Sequence, residues 1–558
     1  MLLKLPTESI VQVLEYADFQ SIVKCSATCR TLREITTSFE SLLYIVLLGA
    51  TGLRERNGEY DRTLALTDKL AQVREYDRVG SRGGQLAIHS RTPVVPAVFK
   101  SGTWLTFKYD DDDGGCSIMR RYLGGPRCAA VSEHADTLVT ISDFRSRTVL
   151  DYDSERGLLV VAYRLPASED QECRCRAWDR LGSELGPRVV LDIPSNLPLA
   201  GFSNVWSTYG FTLSYRYRDG GVLRRTLRDL RHDETYLTYE VPDHSKLEFF
   251  SHKMVADDMF VNTSYMKADA HRQLYPKGCA PAAPQFDVWL LNGDGLPSLF
   301  TLLLPELNDE EPRVTVEDKW RTTGVSIDMP SGPMKDLTAN IEEDHLLYAH
   351  WRLTRPASDT PNSVPPYTFT ENLLVVIHIS RLRAFLRSRR YDSTLQAVLG
   401  WDEWAAHARI AFLRPSVPGM VWQTTKNPCG MRIACWTEYY SLSQAATEQS
   451  TSATRRLSIL DFHPRRAARA PGDKSESFAL ADGLRGSGVV RPFKDENVYA
   501  GGLACAQYTY VLPPEITRGP RTEFLVHAMT LDGVVVLYRD GRPGHQEYIH
   551  CTLPTQGV

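Results

Sequence analysis

From about residue 90 to the end, the chain is written in short runs that alternate apolar and polar side chains between turn residues. Residues 211 to 217 (FTLSYRY) alternate without a break, which is the pattern of a strand with one face buried and one face wet. Similar runs occur at Thr137–Ile141, Leu158–Tyr163, Leu373–Ile379 and Ala504–Leu512. Hairpin turns join several of them. Phe286–Leu291 meets Leu296–Leu304 across Asn-Gly-Asp-Gly, and Phe524–Leu531 meets Val534–Tyr538 across Asp532-Gly533. Many short strands with repeated turn signals define a sandwich, a barrel or a propeller.

Size decides among these. The segment 91–558 is too long for one sandwich, whereas six or seven propeller blades would use it at roughly 67 to 78 residues each, above the ~40 to 45 of a WD-repeat blade. Polar or proline-rich stretches at Pro305–Lys319, Thr354–Pro366, Ser441–Arg456 and Arg465–Ser477 supply the excess as inserts. No clean internal repeat is visible, and two stacked β domains are the competing arrangement.

The first fifty residues differ in kind. They hold none of the ten tryptophans and one of the 32 prolines. Ile10, Val13, Leu14 and Ala17 recur at helical spacing, and Thr7 is placed to cap that helix. A second helical face runs through Ile22, Cys25, Cys29, Leu32 and Ile35, and a third apolar stretch spans Leu42–Leu48. The pattern predicts three short helices. A unit this small is near the limit of independent stability and carries apolar residues around its first helix, notably Leu5, Pro6 and Ile10. A partner surface, or packing on the rest of the chain, is expected.

Composition bounds the partners. The 64 basic residues nearly balance the 68 acidic ones, leaving a formal charge of -4. No electrostatic footprint for nucleic acid or an anionic membrane is present. The eleven cysteines include no CxxC pair, so reduced, buried thiols are expected rather than a disulfide framework or a zinc module. The densest apolar run, Leu42–Ala50, covers nine residues against the ~20 needed to span a bilayer. A soluble intracellular chain, cytoplasmic or nuclear, is the expectation.

No segment carries clear catalytic chemistry. GxxxxGK[ST], GxSxG and HExxH are all absent. Asp110–Asp113 lacks the alternating ligands of a calcium loop and reads as a hairpin tip. A lone sequon at Asn262-Thr263-Ser264 is of the kind expected by chance. Neither cofactor nor metal is expected. Two segments are compatible with recognition. One holds Arg381, Arg383, Arg387, Arg389 and Arg390 at helical leucine and phenylalanine spacing, and Trp401 and Trp404 follow it. Guanidinium groups and large aromatic faces make strong anchors, which gives Arg387, Arg389, Arg390, Trp401 and Trp404 as the expected target contacts. The bland alternative is a solvated helix packed through its tryptophans.

Residues 5–32 (LPTESIVQVLEYADFQSIVKCSATCRTL) resemble an F-box. Leu5-Pro6, Glu8, the Ile10/Val13/Leu14 face, Tyr16, Asp18, Ile22 and Cys29-Arg30 match the family pattern. Ala17 and Thr28 stand where it usually has leucine and valine, and Leu32 replaces a frequent tryptophan. The stretch onward through SLLYIVLLGATGL is similar to the opening of a large F-box group of mushroom-forming (basidiomycete) fungi, whose β-rich domain follows the F-box. The resemblance implies a substrate receptor of a Skp–cullin–F-box ubiquitin ligase, not itself an enzyme. It implies contact with a Skp-type adaptor, and through it a cullin, at Leu5, Pro6, Glu8, Ile10, Val13, Leu14, Ile22, Cys29 and Leu32. The expected organisation is α+β and multidomain: a three-helix F-box at 1–50, a helical connector at 51–90, and a propeller-like domain at 91–558 that binds an unidentified target protein. Two alternatives are a hydrolase built on a propeller and an F-box scaffold outside the ligase.

Overall fold

The structure is a computed structural model. It describes residues 2–55, 65–78, 84–92, 98–100, 103–109, 116–122, 136–141, 146–153, 158–164, 173–179, 188–195, 206–209, 212–219, 222–229, 234–240, 247–256, 258–266, 285–291 and 297–306. Beyond these it describes 321–328, 337–339, 346–356, 368–389, 397–412, 420–424, 428, 430–439, 456–464, 467, 493, 503–517, 523–530, 533–539 and 546–553. Asp110–Asp113, Arg390 and most of the four expected inserts lie outside the described residues.

Four helices open the chain: α1 (Thr7–Glu15), α2 (Phe19–Thr28), α3 (Arg30–Ser38) and α4 (Glu40–Thr51). Three were expected. The second predicted face is broken at Cys29, whose extended backbone (φ -155°, ψ 162°) ends α2 and starts α3. Thr7 is the first residue of α1 rather than its cap. Pro6 holds the cap position and makes no side-chain bond there. The side-chain cap belongs to α2, where Asp18 accepts from the Ser21 amide at 2.9 Å and from its hydroxyl at 2.7 Å. Those bonds hold the Asp18 carboxyl below its ordinary value.

The all-β region is a propeller. Among the described residues, seven sheets of four or five strands follow one another, with strands at 98–141, 146–195, 206–240, 247–303, 321–412, 420–511 and 523–552. Hydrophobic clusters weld most neighbouring sheets. Ile118 and Leu138 of the first meet Leu159 and Trp178 of the second. Leu227 of the third meets Phe260 of the fourth. Phe286 and Phe300 meet Trp351 and Val375 between the fourth and fifth. Tyr348 and Val376 meet Ile433 and Phe462 between the fifth and sixth. Trp436 and Ile459 meet Val536 and Ile549 between the sixth and seventh. The ring closes where Trp104 of the first sheet packs edge-on against Tyr548 of the seventh, centroids 5.0 Å apart.

The closing strand comes from the connector. Ala87–Thr92 pairs antiparallel with Gln546–Thr552, so the start of the β region completes its last sheet. Sharing a sheet between the two ends of a ring ties it shut and covers an open edge. Gly84–Gln85 likewise adds a short parallel strand to the sixth sheet. The strand at 87–92 straddles the boundary expected at 90/91, and the connector's one described helix is α5 (Leu66–Arg78). Both hairpins read from the sequence form, pairing Gln285–Leu291 with Pro297–Leu303 and Glu523–Met529 with Gly533–Arg539. No helix among the described residues is long and apolar enough to cross a membrane.

Candidate protein-docking site

The N-terminal helices fill a small core of their own. Ile10, Val11 and Leu14 of α1, Ile22 of α2, Leu32 and Ile35 of α3, and Leu42 of α4 are buried together, with Cys25, Cys29 and Phe39 half-buried around them. The buried positions of α1 fall on one stripe, so its opposite face must look outward. That face carries Val13 and Tyr16, one turn apart and 51% and 95% exposed. The leading segment adds Leu3 and Leu5, 53% and 45% exposed.

This concentration is unusual for the molecule. Of the eight large hydrophobic side chains exposed among the described residues, four lie within residues 3–16. Single exposed apolar residues are normal on protein surfaces, whereas a group on one small module marks an interaction surface. Pro6 and Glu8 are exposed alongside them. An open cleft of about 420 Å³ is lined by Glu15, Tyr44, Ile45, Leu48, Leu66 and Lys69.

The nine expected adaptor positions therefore divide. Leu5, Pro6, Glu8 and Val13 are on the surface; Ile10, Leu14, Ile22 and Leu32 are internal and shape the module; Cys29 is half-buried at the helix junction. Leu3 and Tyr16 were not in the expected set. The period of α1 was signal enough for Tyr16, because it sits three residues beyond Val13.

The second expected surface is a clasp between sheets. Residues 379–407 interrupt the fifth sheet and comprise α6 (Ile379–Ser388), a strand at Ala397–Leu399, and α7 (Trp401–Trp404). The strand joins the fourth sheet in parallel, beside Pro297–Leu303. Asp258 of the fourth sheet receives Arg383 at 2.6 Å and Arg387 at 2.5 Å, one on each carboxylate oxygen. Arg389 bonds Glu403 at 2.5 Å and lies 4.8 Å over the Phe385 ring. That bond holds the Glu403 carboxyl below its usual range, helped by the Gly400 amide. Trp401 is half-buried against Trp404, centroids 4.8 Å apart. Trp404 is completely buried, which corrects its expected role: no face of its indole is left for a target. The guanidinium ends of Arg387 and Arg389 are engaged within the chain, and Arg390 is not among the described residues.

Other candidates resolve structurally. Asn262 of the sequon is buried in the fourth sheet, paired with Asp287 across the ladder. Cys116, Cys435, Cys505 and Cys551 are buried, and burial raises the pKa of each. Among the described residues no three His, Cys, Asp or Glu side chains gather as a metal set.

The fold and this surface define a class: an F-box-like helical region followed by a β-propeller. Residues 2–44 match the F-box-like family. No curated protein matches the chain. Solved structures similar to it include the β-propeller domain of the Trilobed protease from Pyrococcus furiosus (TM-score 0.31, 10% identity, covering 85% of this chain and 100% of that one). Others are Raptor from Chaetomium thermophilum (0.32, 10%, 100% and 40%) and the WD40 domain of coronin from Toxoplasma gondii (0.31, 8%, 85% and 88%).

Proposed function

We propose that the chain is the substrate-recognition subunit of a Skp–cullin–F-box ubiquitin ligase. The observation that carries this reading is the coincidence of the F-box-like match at 2–44 with the exposed group Leu3, Leu5, Val13 and Tyr16. A Skp-type adaptor would cover that group, and the propeller would hold a target protein. The receptor then acts by proximity, raising the effective concentration of target and charged ubiquitin carrier, and needs no catalytic residue of its own. The likeness of the N-terminal stretch to F-box proteins of mushroom-forming fungi supports a receptor from that group, acting in the cytoplasm or nucleus.

The test is capture of the full-length chain by a purified Skp-type adaptor. Leu5→Ala with Pro6→Ala should weaken capture sharply while the propeller stays folded. Wild-type capture by the double variant overturns the adaptor reading. Co-purification of a cullin with the wild-type complex separates a ligase subunit from a scaffold that stops at the adaptor.

A further inference from the structure

We propose that Tyr76 is the positioning residue that sets the helical module's orientation on the propeller, acting through Arg432. Its consequence for ubiquitin transfer rests on the receptor reading above.

The argument begins inside the sixth sheet. Arg432 and Asp461 face each other across neighbouring strands, and the guanidinium Nε bonds the carboxylate at 2.9 Å with both side chains buried. The other Asp461 oxygen accepts from the His463 amide at 2.9 Å. A buried ion pair adds little stability in itself, because desolvation offsets its attraction. What it does here is hold a flat cation in one orientation at the place where α5 arrives.

Tyr76, in the last turn of α5, meets that cation. Its ring centroid is 4.7 Å from the Arg432 guanidinium carbon. Its carbonyl accepts from a terminal guanidinium nitrogen at 3.4 Å. Gly430 makes room for the approach. It sits at φ 57°, and a Cβ there would lie 3.2 Å from the Tyr76 hydroxyl. Stacking on an aromatic face is a contact that arginine makes well and that fixes direction as well as distance.

On its other side Tyr76 belongs to the cluster joining α4 to α5, with Tyr44, Leu53, Leu70 and Val73. A continuous packed path therefore runs from the docking module through α4 and Tyr76 to the propeller wall. A further described tie is a two-stranded ribbon of three residue pairs, Leu53–Glu55 with Leu337–Ala339. A ribbon that short is marginal alone. Loss of the Tyr76 ring leaves the module on a hinge, and proximity-driven transfer depends on the geometry a hinge would blur.

The experiment places spin-labelled unnatural residues at Glu34 and Val398, both exposed, in the full-length chain and reads their separation by pulsed electron resonance. Wild type and Tyr76→Phe should give one narrow distance, since both keep the ring. Tyr76→Ala should lose it for a broad distribution. Tyr76→Leu fills the cluster without an aromatic face and should broaden too, which keeps the test open if the alanine variant fails to fold. A narrow wild-type distance in folded Tyr76→Leu overturns the proposal. Binding of purified Skp-type adaptor is read in parallel and should survive every Tyr76 variant. Failure of the wild-type chain to bind it sinks the receptor reading and leaves the distance result standing.

Discussion

The Trp404 indole Nε1 donates to the Leu303 carbonyl at 3.0 Å, joining an insert of the fifth sheet to the last strand of the fourth. The ring around that bond is wholly enclosed, edge-on to Phe286 at 6.1 Å. With Arg383 and Arg387 on Asp258, it makes the insert a fastening between two sheets rather than a free loop. Tryptophan in this setting contributes area, shape and one satisfied donor together.

Trp404→Ala should therefore be a stability variant. Truncating a buried tryptophan costs about 3–5 kcal/mol, and a lower thermal midpoint with adaptor capture unchanged is the expected result. Arg387→Ala exposes no buried charge, because Asp258 keeps Arg383, so its loss should stay within roughly 1 kcal/mol for a half-exposed pair. If the tryptophan variant melts like wild type, the fastening is decorative.

Neighbouring positions of α1 should behave oppositely. Val13→Asp alters an exposed side chain, where substitutions usually change stability by less than about 0.5 kcal/mol, yet it sets an unpaired charge in the proposed adaptor face. Adaptor capture should fall with no change in melting. Leu14→Ala removes a core side chain and should cost about 2–5 kcal/mol. Thermal melts and capture on both variants would reveal whether the face and the core are separable as their burial indicates.

Stability should decline on acidification through two histidines of the fifth sheet. Burial, then the Arg352 charge, pushes His350 down to about 4. Burial, then Arg381, pushes His378 down to about 4. Unfolded histidine titrates near ~6.5, so between that value and ~4 the unfolded state binds more protons than the folded one. Their contribution is complete above the unfolded value and drains away as pH falls toward the folded one. Urea midpoints at pH 7.5, 6 and 5 should fall in that order, and His350→Phe should flatten the slope. An equal slope in that variant would remove His350 from the account.

Much of this architecture was legible because strand period and hairpin turns are local. Gln285–Leu291 and its partner could be read from alternation and one Asn-Gly turn. The closing pair of Ala87–Thr92 with Gln546–Thr552 was not, since no local pattern reports a partner more than 450 residues away. The break between α2 and α3 was hidden for another reason: Thr28 and Cys29 are not helix breakers, and the backbone turns there because Leu32 and Ile35 must reach the same core as Ile22. Asp18 followed by Ser21 is a local cap signal for α2, readable from the sequence alone. At the docking site the apolar set was visible, but burial divided it. An F-box-like pattern constrains core and surface positions alike, and the sequence does not label which is which. Ile379–Ser388 is a helix as the spacing implied, and the carboxylate partner of its arginines, Asp258, lies over a hundred residues upstream, where no spacing rule looks.

Gly49 in α4 offers a case where two principles oppose each other. Alanine favours a helix interior over glycine by about 1 kcal/mol, so Gly49→Ala should stabilise α4 if only the helix mattered. A Cβ at this position, however, would stand 2.1 Å from Cγ and 2.6 Å from Cβ of Phe19, the first residue of α2. A rotamer change can swing Cγ away, but Cβ is fixed by the Phe19 backbone and stays within 2.6 Å, so the α2–α4 packing must open. Overpacking of this kind costs about 1–3 kcal/mol, which outweighs the helix gain. Gly49→Ala should lower the stability of the helical module and loosen hydrogen-exchange protection in α2 and α4. In the Phe19→Ala background the same substitution should turn neutral or favourable, because the opposing ring is gone. A double-mutant cycle on chemical denaturation measures the sign directly, and a Gly49→Ala variant more stable than wild type would show that α2 and α4 do not approach as closely as described.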